Sequence, residues 1–327
     1  MASAVRSSVV PEDKLRSFSE HLRRSQNILA LLGAGISAAS GLPTFRGPGG
    51  LWRSHNPTSL ATPEAFGRDP GLVWQFYSHR RHMALKAQPN AAHYALAELA
   101  RKNPNFITLS QNVDGLSPRA NHPDSQLHLV HGSLFDIKCN NCEYIRRNDF
   151  TDPIIPALAI PKAAPQPNPS TDDKTGAEAT KALYSSMEYQ SESTAEGQDL
   201  DVSDANIPIP RISPDQLPKC PDCAIGLLRP GVVWFGEMLP EDTINAVDNW
   251  IAKADKIDLV LVIGTSARVY PAAEYVLRAT DKGALVCVVN MDKNDKPPVE
   301  MTDEDWFFQG DASVIVPEIL REVLEKP

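Results

Sequence analysis

The sequence predicts an α/β protein with a Rossmann-like parallel sheet and a small zinc-binding domain inserted into the chain. Short, continuously apolar runs alternate with amphipathic helical stretches, which is the pattern of strands buried on both faces. Two Cys-x-x-Cys pairs interrupt this alternation near the middle of the 327 residues. We therefore expect one sheet built from both halves of the chain, with a metal-binding module between them.

The elements follow from the hydrophobic periodicity. A helix is predicted over 13–24, and a continuously apolar strand over 27–32. Further elements alternate as the pattern requires: helices over 71–86 and 91–101, a strand over 106–109, a helix over 241–254, and strands over 257–263 and 284–289.

This order predicts the domain boundaries. Residues 1–24 form an N-terminal segment with the first helix, 25–135 together with 228–327 form the Rossmann-like domain, and 136–227 form the zinc-binding module. Within that module, about 161–206 is rich in Pro, Ser, Thr, Ala and acidic residues, and its few large apolar side chains cannot offset the entropy of ordering. We expect a largely disordered acidic insertion there, which serves either as a passive linker or as a docking element.

Composition excludes several classes of partner. The net charge of -9 argues against nonspecific nucleic-acid binding. No apolar run reaches the length needed to span a membrane, so we predict neither a direct nucleic-acid partner nor a membrane partner. Residues 1–10 carry Ser and Arg without an acid, as mitochondrial leaders do, but Pro11, Glu12 and Asp13 cut this pattern short.

The four paired cysteines predict one structural Zn²⁺ site. The pairs are Cys139 with Cys142 and Cys220 with Cys223, and a two-residue spacer lets two thiolates hold one tetrahedral ion. Four protein thiolates leave no open position for water or substrate, so the metal is expected to be structural. The alternative is two unrelated redox or buried thiol pairs.

A glycine turn follows the first strand. Residues 33–38 fit the G-x-G-x-x-G/A dinucleotide fingerprint, in which Gly33 permits the tight turn and Gly35 lets the backbone approach a pyrophosphate. The next helix would present its N-terminal amides to the anion. No acidic residue follows about twenty positions on, as dehydrogenases require, and the loop over 41–47 indicates a lid instead.

Polar residues follow three other predicted strands. In open α/β sheets the ligand lies beyond the carboxyl ends of the strands, where 111–114, 264–266 and Asn290 would meet. These residue types also favour loops and helix caps, so each position alone is ambiguous. An imidazole is the natural base near neutral pH, but His131, His122 and His128 are equal candidates by composition.

Taken in order, these motifs resemble the sirtuins, a family of NAD-dependent protein-lysine deacylases. The resemblance rests on 33–47, 111–114, His131 with Gly132, both cysteine pairs and 264–266, and it covers about 22–320. It implies that His131 is the catalytic base. The NAD site that it implies comprises Gly33, Ala34, Gly35, Ser37, Thr44, Phe45, Arg46, Trp52, Gln111, Asn112, Val113, Asp114, Gly264, Thr265, Ser266, Asn290, Met291, Asp292 and Ala312.

The resemblance also implies a chemistry and a peptide site. The acyl group would pass from lysine to ADP-ribose with release of nicotinamide, which needs no nucleophilic side chain. The segment 231–237, with Val232 and Phe235, would pair with an acyl-lysine protein or peptide as an added strand.

The helix predicted over 71–86 bears on the choice of acyl group. Its apolar stripe includes position 80, which is Arg, and Tyr77 lies one turn earlier on the same face. Together they could clamp a carboxylate. An Arg that forms a structural ion pair, or one that extends to the surface, would occupy the same position in the helical repeat. Tyr77 and Arg80 are similar to the Tyr-x-x-Arg of class III sirtuins, and Ala61 to the small residue that widens their acyl pocket.

The resulting hypothesis is an NAD-dependent deacylase for malonyl-, succinyl- and glutaryl-lysine that releases nicotinamide and O-acyl-ADP-ribose. A deacetylase or a mono-ADP-ribosyltransferase would use the same NAD site. A zinc-dependent binding module that retains a nucleotide fold is the alternative outside enzymes. The class resemblance implies mitochondria, with cytosol or nucleus as alternatives.

Overall fold

The computed structural model describes residues 9–44, 51–163 and 197–325. A six-stranded parallel sheet is formed by β1 Ile28–Leu32, β2 Phe106–Ser110, β3 Leu127–Leu129, β7 Leu259–Ile263, β8 Leu285–Asn290 and β9 Trp306–Gln309. Its order is β3-β2-β1-β7-β8-β9, so the strand order reverses between β1 and β7. This reversal opens a crevice at the carboxyl ends of these two strands.

The predicted α/β class is confirmed, and the predicted elements agree with the observed ones to within about two residues at each end. The helices are α1 Glu12–Leu22, α2 Pro57–Leu60, α3 Pro63–Arg68, α4 Pro70–Lys86, α5 Ala91–Lys102, α6 Leu116–Arg119, α7 Glu241–Lys253, α8 Glu274–Asp281 and α9 Ala312–Leu324. Short 3₁₀ helices span Ala34–Ser40, Asp124–Gln126, Pro156–Leu158 and Pro214–Gln216. No helix of the described ranges is long and apolar enough to cross a membrane.

Helices cover both faces of the sheet. On one face, Phe18, Leu96 and Ile319 of α1, α5 and α9 pack against β1 and β7. On the other, Val247 and Val276 of α7 and α8 join the second core. All residues of β1, β2 and β7 are buried, which explains why these strands are continuously apolar.

The small domain is larger than predicted. Its antiparallel sheet has the order β5-β4-β6, formed by β4 Gly132–Cys139, β5 Ile145–Arg146 and β6 Leu228–Val232. The predicted limits of 136 and 227 cut through this sheet. Helices α2 to α4 also belong to its core, because α4 packs against β4 and β6, and the Trp74 indole N–H donates to the Leu228 carbonyl at 2.8 Å.

The predicted acidic insertion, about 161–206, lies largely outside the described residues. Residues 164–196 lie outside the described part of the chain, but 197–207, the return segment, packs on the small domain with Val202 buried. The Arg53 guanidinium donates to four of its carbonyl oxygens, those of Val202, Asp204, Ala205 and Ile207, at 2.9 to 3.2 Å. One distant arginine thus supplies hydrogen bonds that the local composition of this segment does not reveal.

Candidate active site

The glycine turn lies where β1 and β7 meet. Gly33 and Gly35 donate to the carbonyls of Ile263 and Gly264, both at 2.9 Å. A Cβ on Gly35 would lie 2.7 Å from the Gly264 Cα, and one on Gly33 would lie 2.5 Å from the Thr265 Cβ. These glycines are therefore required by the contact between two strand ends. The predicted helix after the turn is the 3₁₀ helix Ala34–Ser40, which ends at Gly41 with φ of 85°.

A cavity of about 360 Å³ opens beside this turn. It extends from the strand ends to α4 and the segment after β6, and it brings together residues predicted separately for NAD, catalysis and acyl recognition. These are Ala34, Ser37, Gln111, Asn112, Val113, Asp114, His131, Ala61, Tyr77, Arg80, Val232 and Phe235.

The other predicted NAD residues lie elsewhere. Thr44 and Trp52 line an adjoining cavity of about 590 Å³, and Phe45 and Arg46 fall outside the described residues. The remaining residues line neither cavity. They lie at the ends of β1, β7 and β8 and at the start of α9, which together we call the rim of the crevice: Gly33, Gly35, Gly264, Thr265, Ser266, Asn290, Met291, Asp292 and Ala312.

Asn112 and Asp114 are held by the glycine turn. The Asn112 amide donates to the Gly33 carbonyl at 3.1 Å, and the Ser37 hydroxyl donates to the Asp114 carboxylate at 2.7 Å. The other Asp114 oxygen accepts from the Leu116 amide at 2.9 Å. The first and second strand ends are thus one hydrogen-bonded unit.

On the β8 side of the crevice, Asn290 ties the rim together. Its amide donates to the Thr265 carbonyl at 3.3 Å, and its side-chain oxygen accepts from the Met291 amide at 2.9 Å. Ala312 is buried at the first turn of α9, so its side chain fills core space.

His131 is the histidine that lines the cavity. Its Nδ1 lies 3.0 Å from the Gln111 carbonyl oxygen, and since a carbonyl can only accept, Nδ1 carries the proton and Nε2 is the acceptor. Burial lowers the pKa of His131, and the bond to Gln111 partly offsets this. His122 instead bonds the Thr108 hydroxyl at 3.0 Å inside the domain, and His128 lies within β3. The geometry thus separates the three candidates that composition left equal.

The part of the cavity wall that α4 forms carries the predicted acyl clamp. Tyr77 is buried and Arg80 is half-buried, with its guanidinium 5.5 Å from the Phe76 ring centroid. Burial lowers the pKa of Arg80, while Tyr77 and Asp114 act in the opposite direction. A guanidinium stays protonated at neutral pH even when burial lowers its pKa. Arg80 therefore places a positive charge at the α4 end of the cavity.

Two neighbours of the clamp were missed by sequence reasoning. Trp234 donates from its indole to the Tyr77 oxygen, and period-2 alternation along 231–237 would have placed it on the face of Val232. Arg81 is buried beside Arg80 and donates to the carbonyls of Leu134, Asp149 and Thr151. It ties α4 to the zinc module through carbonyls that are distant in the chain, which helical periodicity does not reveal.

Two buried donors in the described residues lack a hydrogen-bond partner and belong to the predicted NAD set. They are the Gln111 side-chain nitrogen and the Trp52 indole nitrogen. A buried donor without an acceptor is costly, so these atoms fit a ligand that supplies oxygens. The glycine turn, whose backbone amides start a 3₁₀ helix, fits the pyrophosphate of a dinucleotide. NAD therefore fits the site.

The four paired cysteines converge at the far side of the small domain, with all four sulfurs within 4.8 Å of one another. Cys139 and Cys223 lie 3.7 Å apart, and Cys142 and Cys220 lie 3.6 Å apart. Zinc–sulfur bonds of about 2.3 Å in a tetrahedron require sulfurs about 3.8 Å apart. Backbone amides of Gly226 and Ile225 lower the pKa of Cys223, the direction in which a metal-binding thiolate is favoured. The donor set fits one structural Zn²⁺.

Comparison with known proteins gives a consistent result. The model of the Sir2 family matches residues 33–271. An NAD-dependent protein deacylase of Candida albicans is 43% identical, over 95% of this chain and 98% of its own. The mitochondrial NAD-dependent protein deacylase sirtuin-5 of Danio rerio is 38% identical, over 86% of this chain and 79% of its own. The crystal structure of a Sir2 homologue in complex with NAD superposes with a TM-score of 0.68 at 32% identity, covering 97% of this chain and 95% of that one.

Proposed function

This chain belongs to the Sir2 family, and on that premise we propose that it is an NAD-dependent deacylase that removes malonyl, succinyl and glutaryl groups from protein lysines. The products are nicotinamide and O-acyl-ADP-ribose. The observation that carries the acyl choice is that Tyr77 and Arg80 line the same cavity as His131. The deacylase names of the similar proteins from Candida albicans and Danio rerio support the reaction class.

The choice of an acidic acyl group rests on charge. A guanidinium withdrawn from water is stabilised by an anion, and Arg can bind a carboxylate with two parallel hydrogen bonds. A succinyl group brings that carboxylate to Arg80, whereas an acetyl group ends in a methyl. Ala61, which is 4% exposed on the cavity wall, leaves the space that a longer acyl chain needs.

When bound, NAD would supply a ribose that loses nicotinamide at its anomeric carbon and takes the acyl group on a hydroxyl oxygen, which frees the lysine. Gln111, Asn112 and Asp114 would hold its nicotinamide ribose, with Thr265, Ser266 and Asn290 along the rim. His131 accepts a proton at Nε2, because Nδ1 is committed to the Gln111 carbonyl. Its burial keeps the imidazole neutral near pH 7, as a base requires.

The peptide would bind along the segment after β6. Val233 and Phe235 donate their amides to the carbonyls of His131 and Ala61, at 2.9 and 3.0 Å. This anchors the segment between the proposed base and the acyl pocket. Pairing through the main chain gives affinity with little sequence selection, which suits an enzyme that acts on several proteins.

The cellular compartment of this chain is inferred from its relatives. The Danio rerio protein is named as mitochondrial, and we infer the same compartment for this chain. Fluorescence microscopy of the protein with a C-terminal tag tests this, and a cytosolic or nuclear signal would contradict it.

The experiment that tests the function compares acetyl-, malonyl-, succinyl- and glutaryl-lysine peptides of one sequence with NAD, following nicotinamide release and product mass. We expect the acidic acyl peptides to be turned over faster and to yield O-acyl-ADP-ribose. Preference for the acetyl peptide would indicate a deacetylase, and ADP-ribose attached to protein would indicate a transferase.

A further inference from the structure

The hydroxyl of Tyr77 is already engaged on one side. The indole N–H of Trp234 donates to it at 3.0 Å, and the two side chains are only 2% and 3% exposed. Because both side chains are almost fully buried, water has little access to compete for this hydrogen bond. The Tyr77 oxygen is therefore held as an acceptor from the side of Trp234.

This engagement decides where the Tyr77 proton points. A phenol has one O–H, and with an incoming donor on one side the O–H is directed away from it. Arg80, also on the cavity wall, carries only donors and cannot accept that proton. Burial raises the pKa of Tyr77 to about 12, so the hydroxyl keeps its proton at neutral pH. The O–H is thus available to an acceptor that enters the cavity.

Trp234 is itself rigidly held. The Arg229 guanidinium stacks 3.4 Å from its ring centroid and forms two hydrogen bonds to the Glu237 carboxylate, at 2.7 and 2.8 Å. Glu237 also accepts from the Trp234 backbone amide at 2.9 Å, and the Phe66 ring lies 5.4 Å away. Backbone and ring are therefore fixed together, which fixes the direction of the indole N–H.

We propose that Trp234 is a positioning residue for acyl selectivity: its indole N–H orients the Tyr77 hydroxyl so that Tyr77 donates to the carboxylate of an acidic acyl-lysine bound at Arg80. The inference rests on the proposed function, because it assigns a role only in recognising acidic acyl groups. It predicts an effect on the ratio of succinyl to acetyl turnover.

The test measures kcat/KM on succinyl- and acetyl-lysine peptides for Trp234→Phe, which keeps an aromatic ring but removes the N–H. We expect the succinyl-to-acetyl ratio to fall about 3- to 10-fold, the value of one neutral hydrogen bond, mainly through KM. The matched control is Trp74→Phe, since Trp74 is equally buried and donates to the Leu228 carbonyl instead. That variant should keep the wild-type ratio.

A double-mutant cycle separates positioning from packing. In a Tyr77→Phe background no hydroxyl remains to orient, so adding Trp234→Phe should leave the ratio unchanged within about two-fold. A further fall of the same size as in the wild type would overturn the proposal, as would an unchanged ratio in Trp234→Phe alone. If Trp234→Phe does not fold, replacing the indole by benzothiophene removes the N–H at constant shape, with the same expectation.

The two proposals fail differently. A wild-type enzyme without succinyl-lysine turnover overturns the proposed function and this inference with it. If the wild-type enzyme prefers succinyl-lysine but the effects of Tyr77→Phe and Trp234→Phe on the ratio simply add, only the role of Trp234 is overturned.

Discussion

The Nδ1 atom of His131 lies 3.0 Å from the main-chain oxygen of Gln111. The bond joins the end of β2 to the turn between β3 and β4, and it fixes the imidazole tautomer so that Nε2 is the basic atom. Gln111 thus contributes a main-chain acceptor to the proposed base and a buried side-chain donor without a partner in the described residues. The proposed base and the NAD site are connected through one residue.

Removing the base should stop catalysis without unfolding the protein. For His131→Phe we expect nicotinamide-coupled deacylation to fall about 10²- to 10⁴-fold, the usual contribution of a general base, with little change in melting temperature. The control is His128→Phe, which alters β3 outside the cavity and should retain activity. In the wild type the acidic limb of the pH–rate profile should lie below 6.5, because burial lowers the pKa of His131. A limb above 6.5, or an active His131→Phe, would exclude this role.

Adjacent arginines should respond differently to the same substitution. Arg80→Met should lower kcat/KM on succinyl-lysine about 10- to 100-fold, as expected for a charge-assisted hydrogen bond, with a much smaller effect on acetyl-lysine. Arg81→Met should lower the melting temperature, because three backbone carbonyls lose their donor. Equal losses on both peptides in Arg80→Met would contradict the carboxylate clamp.

Zinc should support folding and leave the chemistry to other groups. Chelation, or Cys142→Ala, should release about one zinc ion per chain and lower the melting temperature together with activity, since a structural metal site contributes folding energy. Zinc content and thermal unfolding measured on the same samples check this. Cys287→Ala, which alters a buried thiol of β8, should keep its zinc. A zinc-free protein that stays folded and fully active would rule out the structural role.

Buried histidines should make the protein sensitive to acid. Burial lowers the pKa of His79 and His93 to about 4, below the ordinary 6.5 of the unfolded chain. Above pH 6.5 neither state binds these protons, but between 6.5 and 4 only the unfolded state does. The free energy of unfolding should therefore fall with falling pH, by up to about 1.4 kcal/mol per pH unit for each histidine.

His93→Gln tests this sign, because Gln does not titrate and can replace His at the third position of the capping box that starts α5. Urea unfolding at pH 7 and pH 5 should show a smaller loss of stability in the variant. An equal loss would mean that His93 does not contribute to acid sensitivity.

The sequence predicted several of the long elements because each carries its own periodicity, as β1 and α4 show. It did not predict the longer elements β4 and α9. It also missed β3 and β9, which are three and four residues long, and β3 has His128 at its centre. It also divided the small domain from α4, because the contact between Trp74 and Leu228 joins positions far apart in the chain.

For the site, the residue types at the strand ends were visible in the sequence, but their connections were not. The bond between Ser37 and Asp114 depends on how two strand ends meet, and the choice of His131 over its rivals depends on which imidazole faces the cavity. Both are properties of tertiary packing, which no local pattern encodes.

The two flanks of 164–196 lie side by side. Ala163 donates to the Gln198 carbonyl at 2.7 Å, and Leu200 donates to the Pro161 carbonyl at 2.8 Å, so the chain leaves and re-enters the small domain at one point. Because these bonds hold the two ends together, chain added between them as a flexible loop should cost little folding free energy, since the entropy of loop closure changes slowly with length. The stretch between these two flanks is therefore a suitable insertion point in protein engineering. A fluorescent reporter or an affinity tag placed there should leave the small domain undisturbed.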